Sequence, residues 1–294
     1  MQHGPIDLVI GADGDAAVLD EAHEHAWQRF RALLDELVEE LPLLKAPVND
    51  CSGLTGPVAR RMWSACKPLK DFCGCFITPM AAVAGAVAQE IVLSYKRPGI
   101  ARAWVNDGGD IALHLTPGTS VRVGLFSDLA RFDPALAARG AALPIDGRFE
   151  LPSTSDVRGM ATSGWRGRSF SLGIADSVTV LARTAAAADA AATVIANNVN
   201  VDDPRIVRRP ANQLKDETDL GDRPVTIDVP PLAPSQVRSA LEAGLAKAHA
   251  LQAAHLIDSA VLVCQRRFIA TDGFDPALAL APLVPISVSL APKA

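Results

Sequence analysis

A chain of 294 residues, 49% hydrophobic and 21% charged, has the composition of a globular protein and is long enough for one large domain or two modest ones. A net charge of −5 leaves no basic footprint for nucleic acid, and no apolar run reaches the roughly 18 residues that a membrane span needs. The opening Met1-Gln2-His3-Gly4-Pro5 lacks the charged and apolar regions of a signal peptide, and an odd count of 5 cysteines argues against a disulfide framework, so the expected location is cytoplasmic.

With 1 Tyr and 4 Trp, the core has to be built from Ala, Val, Leu and Ile. Ile6–Ile10 reads as a short strand and Gly11–Asp15 as a turn. From Ala16 to Leu41 the apolar residues, among them Ala22, Ala26, Phe30, Leu33 and Leu37, fall at helical spacing until Pro42. Val58–Cys66 reads as a short helix followed by a loop marked by Pro68 and Gly74. Thr78 then stands as N-cap, and Pro79 as first residue, of a helix running to about Tyr95. Gly85, among Ala81, Ala84 and Ala88, gives that helix a face that a backbone or a cofactor can approach closely. Ala101–Val105 and Ile111–Leu115 read as a hairpin, and Ser120–Leu125 as a third strand, before a looser excursion over Asp128–Leu151. Ser177–Leu181 is a strand leading into an alanine-rich helix. Val201–Arg223 reads as a polar surface loop, Val225–Val229 as a strand, Ser235–Ala254 as an amphipathic helix and Ile257–Ala270 as a last strand before an apolar tail. Hairpins without a steady βαβα alternation predict an α+β fold of mixed and antiparallel sheets flanked by helices. We expect a single domain over residues 1–294, with two lobes of about 1–150 and 151–294.

Three stretches can carry chemistry. In the turn Asn106-Asp107-Gly108-Gly109-Asp110, Gly108 and Gly109 let the backbone approach a nucleotide while Asn106 or Asp110 takes its polar groups; the bland reading is an ordinary hairpin turn. Thr162, Ser163 and Gly164, followed by Arg166 and Arg168, offer hydroxyls, backbone N–H groups and guanidinium groups that suit a pyrophosphate, although a polar surface loop would look the same. Asp189 and Thr193 lie four apart on one helical face, half of a hard-cation site or simply an acid and a packed hydroxyl. Cys73-Gly74-Cys75 has no second Cys or His pair at zinc spacing, so it reads as structural. No Gly-x-Ser-x-Gly elbow supports a serine hydrolase.

In this order the three stretches resemble the ApbE family, the FAD:protein FMN transferases. The whole chain resembles more closely an ApbE-like family, found in archaea and bacteria, that has no settled reaction. The markers are His3–Ile6, Thr78–Gly85, Asp107–Leu113, Ala161–Leu181 and Asp219–Asp222. The resemblance implies a flavin nucleotide, FAD or FMN, as the small-molecule partner, with Met80, Gly85, Asn106, Gly108, Gly109, Asp110, Thr162, Ser163, Gly164 and Arg166 around it. It also implies Mg²⁺ held by Asp189, Thr193 and the backbone carbonyl of Ala84. A protein acceptor and a homodimer are further expectations. The transferases carry a His-x-x-Asp-Pro-x-Thr-Gly segment after Thr-Ser-Gly, whereas this chain has Arg166–Gly173 there, without histidine or proline. Flavin transfer is therefore one expectation, and its alternative is a binding protein or cofactor-pathway enzyme of methanopterin-linked one-carbon metabolism. No catalytic residue is assigned from the sequence.

Overall fold

The computed structural model describes residues 1–50, 52–125, 147–273 and 284–285, so Cys51, most of the Asp128–Leu151 excursion and most of the apolar tail lie outside the described residues. Strands β1 (Gln2–His3) and β2 (Ile6–Gly14) open the chain, followed by α1 (Ala16–Glu39), α2 (Leu41–Leu44), α3 (Pro57–Cys73) and α4 (Val83–Val92). Next come β3 (Ile100–Asp107), β4 (Asp110–Leu115), β5 (Ser120–Leu125), β6 (Gly147–Pro152), β7 (Gly159–Ser163) and β8 (Ser177–Ala182). The remainder is α5 (Ala185–Asn198), β9 (Val207–Pro210), β10 (Pro224–Asp228), α6 (Pro234–Ala253), β11 (Ser259–Cys264), β12 (Arg267–Ala270) and β13 (Val284–Pro285).

Nine of these strands form one sheet in the order β1-β2-β3-β4-β7-β8-β11-β12-β13, so both halves of the sequence supply strands to it. Every pairing in it is antiparallel except that of β12 with β13, which bears out the expected α+β class. The helices cover one face, where the main core lies. The β5–β6 hairpin covers part of the other face, closing a second core over Leu113, Met160, Leu181 and Val261. No helix among the described residues is long and apolar enough to cross a membrane.

Several boundaries differ from the sequence reading, each for a physical reason. The Gly11–Asp15 segment is strand as far as Gly14, because Gly11 pairs with Trp104 and a side chain there would collide with the indole. Helix α3 runs through Pro68 to Cys73. The carbonyl that loses its donor at Pro68 belongs to Ser64, an exposed residue whose carbonyl is open to solvent hydrogen bonding. Gly74, at φ 60°, ends the helix by donating its N–H to the Lys70 carbonyl at 2.8 Å. Thr78 does not cap a helix through its side chain. Its hydroxyl donates to Asp219 Oδ2 at 2.5 Å, and Pro79–Ala82 forms one tight 3-10 turn before α4 starts. The stretch Ile257–Ala270 is a hairpin whose turn residues, Gln265 and Arg266, have φ of 46° and 64°. No glycine signals it. The left-handed backbone is held by Gln265, whose N–H bonds Asp176 Oδ2 (2.5 Å) and whose side chain bonds Pro230 O (2.7 Å) and Leu232 N (2.9 Å). The polar stretch Val201–Arg223 contains β9, paired with β10.

Helix α5 is the centre of the helical layer. Ala185, Ala188, Ala190, Ala191 and Ala192 are all completely buried, and the helix packs on α3, α4, α6, β7 and β8. Alanine permits this because it lets neighbouring backbones approach closely without weakening the helix. Thr184 caps the helix, its hydroxyl accepting from Ala187 N at 3.3 Å. Helix α4 is tied to the rest by Glu90, which accepts from Arg29 of α1 at 2.6 Å and Arg61 of α3 at 2.8 Å.

Candidate functional site

The start of α5 is also where α4 and β7 come closest. A methyl group added at Gly85 or at Gly159 would overlap the backbone of Ala185. One turn along α5, this close approach brings Asp189 to the N-terminal turn of α4. Its Oδ2 accepts from Gly85 N at 2.9 Å, and the Ala84 amide also bonds the carboxylate. The first turn of a helix has N–H groups without partners inside the helix, so a carboxylate fits there. The structure thus turns the Ala84 N–H toward Asp189, where the sequence reading had looked to its carbonyl. Thr193 lies one further turn along α5, half-buried.

The β3–β4 hairpin supplies two more acids. Gly108 and Gly109, at φ 66° and 118°, make a two-residue turn that few other residues could adopt, and Asn106 Oδ1 accepts from Gly109 N at 2.8 Å. Asp107 and Asp110 flank the turn, pair across it and are buried, at 4% and 9% exposure. Asp110 Oδ1 accepts from Thr162 N at 3.1 Å, and the Thr162 hydroxyl bonds that of Thr179 at 2.9 Å. Arg168 lies across Gly108, so that a side chain there would strike its guanidinium, and its Nη2 stands 3.8 Å from Asp107 Oδ1.

These carboxylates hold their protons unusually well. Burial pushes Asp107 up to about 6, with Arg168 pulling the other way. Burial pushes Asp110 up to about 7, aided by Asp107 and opposed by the Thr162 N–H and by Arg168. Asp189 rises well above the usual carboxylate range through burial and then through the charge of Asp110, against which the amides of Gly85 and Ala84 act. Part of Asp189 still reaches solvent, but protein encloses the carboxylate on most sides. Arg168 is the cation opposing these shifts at Asp107 and Asp110, and it is 64% exposed, so water screens much of its effect. The arrangement is short of positive charge.

This has a consequence for stability. A carboxyl whose folded-state pKa is raised keeps a proton that the unfolded chain gives up, so its contribution is present near pH 4 and is lost as pH rises through about 7. The metal-free protein should therefore melt at lower temperature at about pH 8 than at about pH 5, by on the order of 3 kcal/mol of stability. Asp110→Asn, which keeps the acceptor for Thr162 N, should flatten much of that slope. Thermal melts in a chelator across this range check it, and a flat wild-type profile would refute it.

The remaining expected residues lie around these groups. Ser163 ends β7. Gly164 sits against the Asp176 carbonyl, where a side chain would not fit. The Arg166 guanidinium lies 4.7 Å from the centre of the Trp165 ring, and Trp165 Nε1 donates to Asp176 Oδ1 at 3.3 Å. Met80, in the turn before α4, packs against the main core. The structure thus joins Asp189 directly to Ala84 and Gly85, and Asp110 to Thr162. It shows no comparable bond from Thr193, Ser163 or Met80 to the acids. Among the described residues no set of three or more His, Cys, Asp or Glu side chains stands at metal-holding distance. Sequence reasoning did not assign site roles to Asp107 and Thr179. A signal for Asp107 existed, because Ala103 and Val105 face the core and a residue two further on shares their face. Two open clefts, of about 390 Å³ beside Arg183 and His255 and about 560 Å³ beside Lys96 and His114, lie elsewhere.

The family described as AbpE bacteria matches residues 1–272. The chain belongs to this family. The ApbE-like resemblance read from the sequence is thereby confirmed as a family relationship. Among relatives, a UPF0280 protein of Methanopyrus kandleri is 34% identical over 216 residues, covering 72% of this chain and 78% of that protein. A UPF0280 protein of Methanospirillum hungatei is 35% identical over 136 residues, and there the chain spans 50% of its relative. Among solved structures, the ApbE protein of Thermotoga maritima is 20% identical with a TM-score of 0.28, over 65% of this chain and 68% of that one.

Proposed function

We propose that this member of the family binds a flavin nucleotide, FAD or FMN, together with Mg²⁺, between the β3–β4 turn, the β7 end and the start of α4. The observation that carries the reading is the group of Asp107, Asp110 and Asp189, carboxyls whose ionisation burial and their mutual proximity oppose and a bound cation would favour. The donor chemistry fits the ion, since Mg²⁺ takes oxygen ligands and keeps several waters. Asp189 and the Thr193 hydroxyl would hold it. When bound, it would neutralise a pyrophosphate and polarise its phosphorus–oxygen bonds.

The protein's own groups bind and orient. The exposed Arg168, lying over Gly108, would meet a phosphate, and the open space beside Gly109 would accommodate one. Asp110, with its raised affinity for a proton, can exchange one near neutral pH. A second reading, binding without transfer in a cofactor pathway such as methanopterin-linked one-carbon metabolism, is favoured by the segment from Arg166 to Gly173. That segment holds no histidine, and its end is pinned by Asn197 Oδ1 to Leu172 N at 2.9 Å.

The test is a titration of the purified protein with FAD and FMN, with and without Mg²⁺, read by flavin absorbance and fluorescence. Saturable, Mg²⁺-dependent binding is expected. No binding of either flavin would overturn the proposal. Incubation of FAD and Mg²⁺ with candidate acceptor proteins then separates the two readings: covalent FMN with released AMP means transfer, and binding without either product means the second.

A further inference from the structure

A dithiol lies at the far end of α3, outside the acidic site. Cys73 is the last residue of the helix and Cys75 follows the left-handed Gly74. Both are half-buried free thiols, and their side chains are direct neighbours. The backbone suits a bridge. Helical geometry separates Cα atoms two residues apart by about 5.4 Å, and Gly74, at φ 60° and ψ 15°, adopts the mirror image of that geometry. Disulfides span Cα separations of roughly 4.4–6.8 Å, so a bond between these residues needs no large backbone movement. Cys66 and Cys264, by contrast, are fully buried.

We propose that Cys73 and Cys75 form a thiol–disulfide exchange site, closed reversibly into an intrachain bridge by small-molecule disulfides. The Cys73 thiolate attacks one sulfur of the small disulfide, its S–S bond breaks, and the released thiolate takes up a proton. The Cys75 sulfur, after losing its proton to solvent, then attacks Cys73 and expels the second small thiol. The protein dithiol loses two electrons and two protons, and the small disulfide becomes two thiols. Burial holds the Cys75 thiol up, while Lys247 nearby favours its thiolate. Cys73 is given the first step and Cys75 the second, resolving one, an order that the two single variants test.

The test is incubation of the full-length chain in oxidised and reduced glutathione at graded ratios, followed by alkylation and peptide mass mapping. Cys73 and Cys75 should lose alkylation together, one for one, as a bridge joining them, and recover it fully with excess reduced glutathione, while Cys66 and Cys264 keep their state. Cys75→Ser should instead accumulate glutathione on Cys73, and Cys73→Ser should show no bridge at Cys75. Three results would overturn the proposal: both thiols remaining alkylated at every ratio, a bridge from either to Cys51 in place of the pair, or glutathione persisting on Cys73 in the wild-type chain.

Discussion

Asp189→Ala should weaken Mg²⁺-dependent flavin binding by about 100-fold or more, the upper range of what loss of a group supporting a metal site costs. The change removes a carboxylate that would hold the ion and leaves the Gly85 N–H at the start of α4 without its 2.9 Å acceptor. To separate those effects, Asp189→Asn offers an amide oxygen to Gly85 N while removing the charge. Because burial and Asp110 disfavour the Asp189 charge, the Asn variant should fold at least as stably as the wild type in a chelator and yet lose the Mg²⁺ dependence. Calorimetric titration with Mg²⁺ and FAD, alongside thermal melts, gives both readouts. Wild-type affinity in the Asn variant would reduce Asp189 to a packing residue.

Gly159→Ala should be among the most damaging single-methyl substitutions in the chain. The added carbon would fall on the backbone of Thr184 and Ala185, at the entry to α5, and not on a side chain able to swing away. Overpacking of a tight core costs about 1–3 kcal/mol and sometimes more, and a clash with backbone belongs at the top of that range. Gly118→Ala is the control. Its φ of 84° strains an alanine, but nothing lies within contact distance, so the expected loss is about 1 kcal/mol. Denaturant melts of the two variants should differ clearly, and equal stabilities would mean that β7 and α5 can move apart at no cost.

Periodicity revealed the large elements because it reports burial on one side. Helix α1 buries Ala22, Ala26, Phe30, Leu33 and Leu37, all of them in the helical pattern read from the sequence. The β3–β4 hairpin was legible because Gly108 and Gly109 permit its turn. What was not legible depends on distant partners. The Gln265–Arg266 turn has no local signature, since hydrogen bonds of Gln265 with Asp176, Pro230 and Leu232 hold it. Likewise Thr78 looked like a helix cap, yet its hydroxyl serves Asp219, 141 residues away in the chain. At the candidate site, the sequence marked Asp110 and Asp189 as site residues but could not show that their charges, with that of Asp107, influence one another. Such coupling arises only when strands and helices have packed.

The alanines of α5 carry one more implication. An alanine side chain has no rotamers to freeze, so ordering this helix at the centre of the fold costs backbone freedom and almost nothing else. It also has almost nothing to truncate. At its buried alanines variation can proceed only by enlargement, and every residue enlarged at those positions must displace a neighbouring element. The axis that carries Asp189 and Thr193 is consequently a stiff, low-entropy rod whose sequence has little room to drift, and any diversification of this site should be sought in the loops that face it.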